Sequence, residues 1–177
     1  DEDKLRFDFT YKKALTDEEI RKVEDIVNEK IRQQLGVTKE IMPYKKSEEL
    51  GAIGLFEDKY KDEVRVVSIG DYSKELCGGC HVNNSSEILM FKIIQETSVS
   101  AGVRRIEAIT GKKVYDYINN SQELIKSIAE SLGTNVNSIN SRVNFLKEEI
   151  SKQKEEISKL KSRSNKDVFE DLKGEVE

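Results

Sequence analysis

The residues best suited to chemistry in this sequence lie in one short glycine-rich segment, residues 76–81 (LCGGCH). The segment holds both cysteines of the chain, Cys77 and Cys80, and its single histidine, His81. Cysteine and histidine are preferred ligands of Zn²⁺, and a glycine turn lets Cys77 and His81 point at one centre. Two ligands, or three with Cys80, do not complete a four-coordinate structural site. The segment alone therefore predicts a zinc half-site, with inert buried side chains as the alternative.

The spacing of Cys77 and Cys80 also matches the Cys-x-x-Cys motif of thiol oxidoreductases. Those proteins place the pair at a helix N-terminus, where the dipole lowers the thiol pKa. Here Gly78 and Gly79 are poor helix formers, and the following apolar run has β character, which disfavours the redox interpretation. Two cysteines are too few for a secreted disulfide framework, so the pair indicates metal or redox chemistry in a reducing compartment.

A second candidate site is the arginine pair Arg104-Arg105, which lies in a predicted strand. Arginine side chains commonly contact phosphate groups in nucleic-acid complexes. Adjacent side chains of a strand point to opposite faces of the sheet, so the two arginines face different surroundings. The alternative is that at least one of them is a solvated charge at the sheet edge.

Short strands alternating irregularly with helices predict the architecture around these residues. A capping box at residues 16–19 (TDEE) and apolar residues at helical spacing up to Leu35 predict one helix. A short helix is expected at 47–56 and another from Gly111 to Ile118. Strands are expected at residues 5–9, 37–42, 63–69, 88–96 and 103–110. This order predicts an α+β fold with a mostly antiparallel sheet and packed helices.

A different pattern begins at Ser121. One amphipathic helix is expected at residues 121–132, and a second begins near Asn135. Seven apolar residues of this second helix occupy a and d positions of one heptad frame: Val136, Ile139, Val143, Leu146, Ile150, Ile157 and Leu160. The pattern predicts a coiled coil, formed with a partner chain or with helix 121–132, and the alternative is a lone charged helix.

Composition narrows the class of protein without identifying it. The 177 residues carry a net charge of -4, and 36% are charged. The acidic balance gives no sign of nucleic-acid binding, although a local basic patch remains compatible with it. No segment approaches the ~18 apolar residues of a membrane span, and the first residues lack a signal-peptide pattern. We therefore expect a cytoplasmic protein with no membrane partner.

Several segments in register closely resemble the editing domain of alanyl-tRNA synthetases. The resemblance covers about residues 1–118, and the heptad segment lies where that family places a coiled coil. The matching segments are residues 5–9 (LRFDF), 15–31, 64–70 (VRVVSIG), 75–82 (ELCGGCHV), 87–88, 91–93 and 101–111 (AGVRRIEAITG).

The resemblance implies a fold like that of threonyl/alanyl-tRNA synthetase editing domains and a specific activity. In this family the domain hydrolyses tRNA(Ala) wrongly charged with serine or glycine. A Cys and a His of the glycine-rich loop hold Zn²⁺ together with an upstream His-x-x-x-His pair. Cys77 and His81 fall on the two loop positions. Gly78, Gly79 and one of Arg104 and Arg105 are then expected to contact the tRNA end.

This sequence also departs from the pattern of the family. The His-x-x-x-His pair and a glutamine tied to editing are expected upstream of Asp1, so the sequence is expected to be an inactive fragment of an alanine-tRNA ligase. ATP and Mg²⁺ belong to the aminoacylation domain of such a ligase. Cys80 stands where the family usually has Thr, which is interpreted first as a neutral replacement and otherwise as a substitute ligand or an oxidation site.

The expected organisation is a partial editing domain at residues 1–120, a helical hairpin or coiled coil at 121–165, and a tail at 166–177 leading towards a C-terminal domain. The expected partners are tRNA(Ala) and, through residues 136–160, a second copy of the chain. Two other functions remain open. One is a free-standing hydrolase of mischarged tRNA, and the other is a non-catalytic dimerisation module.

Overall fold

The computed structural model describes residues 4–54 and 62–174, with side chains up to residue 163. It divides the chain into two compact units, Asp1–Tyr117 and Ile118–Glu177. The described residues of the first unit form six strands in two three-stranded antiparallel sheets, which confirms the predicted α+β class. The elements are β1 Leu5–Thr10, α1 Asp17–Arg32, β2 Val37–Pro43, α2 Tyr44–Glu49, β3 Glu63–Ile69, β4 Ser73–Leu76, β5 Phe91–Ser100, β6 Val103–Thr110, α3 Lys112–Ser131 and α4 Ile139–Gly174.

The first sheet has the strand order β1-β6-β5 and carries the main hydrophobic core on one face. Ile106 and Ala108 of the central strand β6 are buried beside Phe91 and Ile93 of β5. Ile31 of α1 completes the cluster. Burying an apolar side chain of this size stabilises a fold by about 1.5–3 kcal/mol, so this contact helps to hold α1 on the sheet.

Helix α1 begins at the predicted capping box. The backbone N–H of Glu19 donates to Thr16 Oγ1 at 3.2 Å, and the N–H of Thr16 donates to Glu19 Oε2 at 2.7 Å. Two orphan donors of the helix start are thereby satisfied. The Thr16 N–H, followed by the Tyr11 hydroxyl, holds the pKa of Glu19 below its usual value.

Polar side chains of α1 cover the outer edge of β5. The amide of Asn28 accepts from the N–H of Phe91 at 2.9 Å and donates to the Phe91 carbonyl at 2.9 Å. The buried carboxylate of Glu24 accepts from the N–H of Ile93 at 2.8 Å and from Lys92 Nζ at 2.9 Å. An uncovered edge strand is a template for unwanted pairing, and here a helix supplies the missing hydrogen bonds.

The second sheet has the order β2-β3-β4, and the glycine-rich loop follows its last strand. Strands β2 and β3 confirm the predictions at 37–42 and 63–69. Strand β4 was not predicted, because Ser73–Leu76 is short and mostly polar. Strand β4 pairs with β3, and Leu76 lies opposite Val66. Because Leu76 is the last residue of β4, Cys77 follows directly after this pair.

Several predicted boundaries are wrong. The first helix was expected up to Leu35, but α1 ends at Arg32 and Gln34 follows with φ +53°. The helix expected at 47–56 is α2, Tyr44–Glu49, because Pro43 ends β2 immediately before it and Gly51 at φ +71° follows it. Residue 56 lies outside the described residues. The strand expected from Ile88 begins at Phe91, because Ser85–Ile88 forms a 3₁₀ turn capped by Asn84. The strand β6 lies where it was predicted.

The separation of helices at 111–118 and 121–132 is also wrong, since α3 runs without interruption over Lys112–Ser131. No glycine or proline interrupts that stretch. The helix ends where predicted, at Gly133, whose φ is +62°. The N–H of Thr134 reaches the Ala129 carbonyl and that of Gly133 the Glu130 carbonyl, a Schellman end that favours glycine.

Helix α4 extends to Gly174, twelve residues past Ser162, where the apolar pattern stops. Within its described side chains, three heptad residues remain at least half exposed: Ile150 at 50%, Ile157 at 52% and Leu160 at 57%. No helix in the described part of the chain is long and apolar enough to cross a membrane.

The edge contacts of α1 lead to a prediction about stability. Replacing Asn28 by Ala leaves the N–H of Phe91 without a partner, which should lower the free energy of unfolding by about 1–3 kcal/mol. Urea unfolding followed by tyrosine fluorescence reports this unit, because all six tyrosines precede residue 118. The control Asp25→Ala, on the exposed side of α1, should change the free energy by less than about 0.5 kcal/mol. Equal effects of the two substitutions would contradict this role.

Candidate metal centre

The structure brings two of the predicted ligands into contact. His81 Nε2 lies 3.1 Å from Cys77 Sγ, and both residues are half-buried. Zinc bonds of about 2.3 Å to sulfur and about 2.0 Å to nitrogen, at a tetrahedral angle, separate such ligand atoms by about 3.5 Å. The donor types and their separation therefore fit two positions of a zinc shell.

Cys80 behaves differently from Cys77. Its side chain is exposed, and both cysteines are free thiols. Among the residues that the structure describes, no group of three or more Cys, His, Asp or Glu side chains could hold a metal ion. The described residues thus place two donors, Cys77 and His81, together, and Cys80 does not join them as a third.

The loop begins at the end of β4 and is fixed there by Arg65 of β3. The N–H of Cys77 donates to the Arg65 carbonyl at 3.1 Å, and Arg65 Nε donates back to the Cys77 carbonyl at 2.8 Å. A second guanidinium nitrogen, Nη2, donates to the carbonyl of Gly79. One side chain therefore holds the backbone on both sides of Gly78.

The two glycines contribute different features to the loop. The N–H of Gly79 lies 3.4 Å from Cys77 Sγ, in position to donate to the sulfur. A Cβ added at Gly79 would meet that sulfur at 3.5 Å, whereas one at Gly78 would meet nothing within 4 Å. The 3.5 Å separation is an ordinary van der Waals contact, so lack of space requires glycine at neither position.

The second half of the loop is held by Lys39 of β2. Lys39 Nζ donates to the His81 carbonyl and to Asn83 Oδ1, each at 3.0 Å. The N–H of Val37 donates to the Asn83 carbonyl at 2.9 Å. Strand β2 therefore fixes the backbone of His81 from the side opposite to β4.

The loop then fastens to the C-terminal end of α1. The Asn84 amide donates to the Gln34 carbonyl at 2.8 Å. The buried hydroxyl of Ser85 donates to the Lys30 carbonyl at 2.7 Å and accepts from the N–H of Leu35 at 2.8 Å. Carbonyls of a helix end need such partners, so the loop also completes the helix.

Sequence reasoning did not identify Arg65 and Lys39 as part of the site. Each lies in a strand where an exposed charged residue is unremarkable. The available signal was the single charged residue at position 65 between Val64 and Val66. Its use becomes visible only when β3 and β4 are paired.

The arginine pair lies in β6 and is engaged with carboxylates. Arg104 forms a two-pronged ion pair with Glu96, with Nη2 at 2.6 Å from Oε2, and the two side chains are 15% and 7% exposed. Arg105 forms a similar pair with Asp8 at 2.6 and 2.7 Å, with side chains 32% and 43% exposed. Phosphate would therefore compete with a carboxylate at either guanidinium.

These ion pairs also set the protonation of their carboxyl groups. The hydrogen bonds from Arg104 hold the pKa of Glu96 below its usual value, and those from Arg105 do the same for Asp8. A carboxyl with a lowered pKa contributes stability above its unfolded-state value and loses it as the pH falls through the folded-state value. The sheet is therefore expected to be weakened by acid.

Comparison with known proteins agrees with the resemblance seen in the sequence. Residues 64–107 match the family model of the threonyl and alanyl tRNA synthetase second additional domain, a range that contains Cys77, His81 and both arginines. Over 135 residues the chain is 49% identical to the alanine–tRNA ligase of Bacillus velezensis. This chain belongs to the alanyl-tRNA synthetase family.

Other alanyl-tRNA synthetases show the same extent of similarity. The chain is 51% identical over 132 residues to the alanine–tRNA ligase of Listeria monocytogenes and 48% identical over 135 residues to that of Bacillus subtilis. These alignments, with that of Bacillus velezensis, include 75–76% of the chain and 15% of each relative. The chain thus spans about one seventh of the length of the synthetases that it matches.

Proposed function

We propose that this chain contributes Cys77 and His81 to the zinc site of an editing domain that hydrolyses Ser-tRNA(Ala) and Gly-tRNA(Ala). The observation that carries the proposal is the 3.1 Å contact of His81 Nε2 with Cys77 Sγ. Its relatives are named alanine–tRNA ligases, and the matched domain model contains both residues. The parent enzyme would be an alanine–tRNA ligase with this hydrolytic activity.

The two residues of the loop form part of the ligand set. The family resemblance assigns the other two ligands to a His-x-x-x-His pair that precedes the residues of this chain, which contains one histidine. Cys80 is exposed and is assigned no ligand role in this proposal. Two donors do not complete a four-coordinate zinc site, so hydrolysis is expected to need further ligands beyond Cys77 and His81.

The chemistry of the loop suits such a site. When bound, zinc polarises a carbonyl oxygen and activates water for hydrolysis. Cys77 would hold zinc through its sulfur, and the N–H of Gly79, 3.4 Å from Sγ, is in position to donate to that ligand atom. His81 offers the lone pair of Nε2, which requires the neutral ring with its proton on Nδ1. The substrate is an aminoacyl ester, an activated bond that needs no covalent nucleophile from the protein.

Selectivity explains why a second, hydrolytic site is useful. A pocket that accepts alanine cannot reject glycine strongly, since one methylene group is worth about 1–3 kcal/mol. Serine differs from alanine by one hydroxyl and is also poorly rejected by a pocket of that size. Hydrolysis of the mischarged product restores accuracy.

For the tRNA contact we favour Arg105 over Arg104. The Arg105 side chain is 32% exposed and its partner Asp8 is 43% exposed, so phosphate has access to the guanidinium. Arg104 is 15% exposed and its partner Glu96 is 7% exposed. Replacing the carboxylate partner by a phosphate costs less free energy at the exposed Arg105 pair, because the released carboxylate of Asp8 is less buried than that of Glu96.

The proposal predicts different effects for the two cysteines. In a synthetase carrying this region, Cys77→Ser should remove bound zinc and lower hydrolysis of Ser-tRNA(Ala) by at least about 100-fold, because a ligand is lost. Attachment of alanine should be unaffected. Cys80→Ser is the matched control and should retain zinc and hydrolysis. Elemental analysis measures the bound zinc, and hydrolysis and aminoacylation assays measure the two activities. Full editing by the Cys77→Ser enzyme would refute the proposal.

A dimerisation role for α4 has a separate observation in its favour. Ile150, Ile157 and Leu160 share one heptad frame and remain at least half exposed. Apolar a and d residues of this kind favour burial against a second helix. We propose that residues 136–160 pair with the same segment of a second copy.

This pairing predicts a mass that depends on concentration. Sedimentation equilibrium should show a dimer, and Ile157→Glu should weaken association at least about tenfold by placing a charge in the seam. The control Ser158→Glu adds the same charge at an outer heptad position and should leave association unchanged. A wild-type chain that stays monomeric at high concentration would overturn the pairing.

A further inference from the structure

The side chain of Arg65 has an unusual set of partners for an arginine near a surface. Nε donates to the Cys77 carbonyl at 2.8 Å, and Nη2 donates to the Gly79 carbonyl. Among the residues that the structure describes, no carboxylate forms an ion pair with it. Both of its recorded side-chain contacts are thus to the backbone of the glycine-rich loop.

The loop needs an external restraint at this point. Glycine has more backbone freedom than any other residue, so two in succession make ordering costly. Gly78 has open space around its Cα, which removes packing as a restraint there. The planar guanidinium of Arg65 spans Gly78 and binds the carbonyls of the residues before and after it.

The geometry points to Arg65 as a positioning residue for the Cys77–His81 pair. It touches neither ligand atom, and it acts by fixing the carbonyls on both sides of Gly78, so that Cys77 Sγ meets His81 Nε2. The consequence for catalysis rests on the proposed zinc site, whereas the positioning itself is a property of the chain without metal.

Arginine is suited to this role and lysine is not. A guanidinium presents several N–H donors in one rigid plane, so it can bind two carbonyls with a fixed separation. A lysine ammonium is a point charge on a flexible stem and does not fix that separation. The variant Arg65→Lys therefore keeps the charge while removing the two-point restraint.

The test uses the fact that the chain has one histidine. Ring proton and nitrogen chemical shifts of His81 can be read by NMR without ambiguity, at a fixed pH well above the ordinary pKa of imidazole. The variant Cys77→Ser calibrates the chemical shift, because it removes the sulfur atom that lies next to the His81 ring. Arg32→Lys is the matched control, since Arg32 is an exposed arginine paired with Glu29 on α1.

Arg65→Lys should move the His81 ring signals at least halfway towards their position in Cys77→Ser, and Arg65→Gln should do the same. Arg32→Lys should leave them unchanged. Tyrosine fluorescence of each variant confirms that the unit is folded. Wild-type His81 signals in folded Arg65→Lys would overturn the positioning role. If Arg65→Gln fails to fold, Arg65→Lys alone decides.

A second arm separates this inference from the proposed function. Zinc affinity of a synthetase with Arg65→Lys should fall about 10–100-fold, as for other residues that orient metal ligands. A His81 shift with unchanged zinc affinity would overturn the link to the metal site. A wild-type synthetase without zinc would contradict the proposed function, while the NMR result would still decide whether Arg65 positions the pair.

Discussion

The donor pair of this chain depends on hydrogen bonds from two strand cations to loop carbonyls. Arg65 fixes the backbone on both sides of Gly78, and Lys39 fixes the His81 carbonyl. Two successive glycines give this loop unusual backbone freedom, and that freedom opposes order. Strand β3 supplies one restraint and β2 the other, so the second sheet is the frame on which the loop is built.

Helix α1 connects that frame with the first sheet. Near its middle, Glu24 and Asn28 bind backbone groups of β5. In its last turn the Lys30 carbonyl accepts a hydrogen bond from Ser85, and just beyond the helix the Gln34 carbonyl accepts one from Asn84. The same helix therefore covers a sheet edge and holds the exit of the loop. Loss of either set of contacts is expected to disturb the other, because both act on one rigid element.

The sequence predicted those features that depend on local pattern. The capping box before α1, the valine-rich β3 and the glycine end of α3 each follow from a few neighbouring residues. Local signals were also misjudged at α2, at the start of β5 and along α3, and β4 was missed because tertiary pairing decides it. The sequence of β4 is too polar to be predicted as a strand, and the strand forms by pairing with β3.

The candidate site shows the same division between local and tertiary information. The types and spacing of Cys77 and His81 were sufficient to suggest a shared centre. The roles of Arg65 and Lys39 required the strand register. The partners of Arg104 and Arg105 were also invisible, because Glu96 and Asp8 lie on other strands. Local pattern therefore indicates the candidate donor atoms, and strand register indicates the residues that hold them.

Under the proposed function, one sulfur and one imidazole nitrogen from this loop bind zinc. X-ray absorption at the zinc edge of a synthetase carrying this region tests it directly. The expected spectrum contains one sulfur ligand at about 2.3 Å, with nitrogen or oxygen ligands at about 2.0–2.1 Å, and Cys77→Ser should abolish the sulfur contribution. A shell without sulfur would contradict the claim, and a shell with two sulfurs would show that Cys80 is also a ligand.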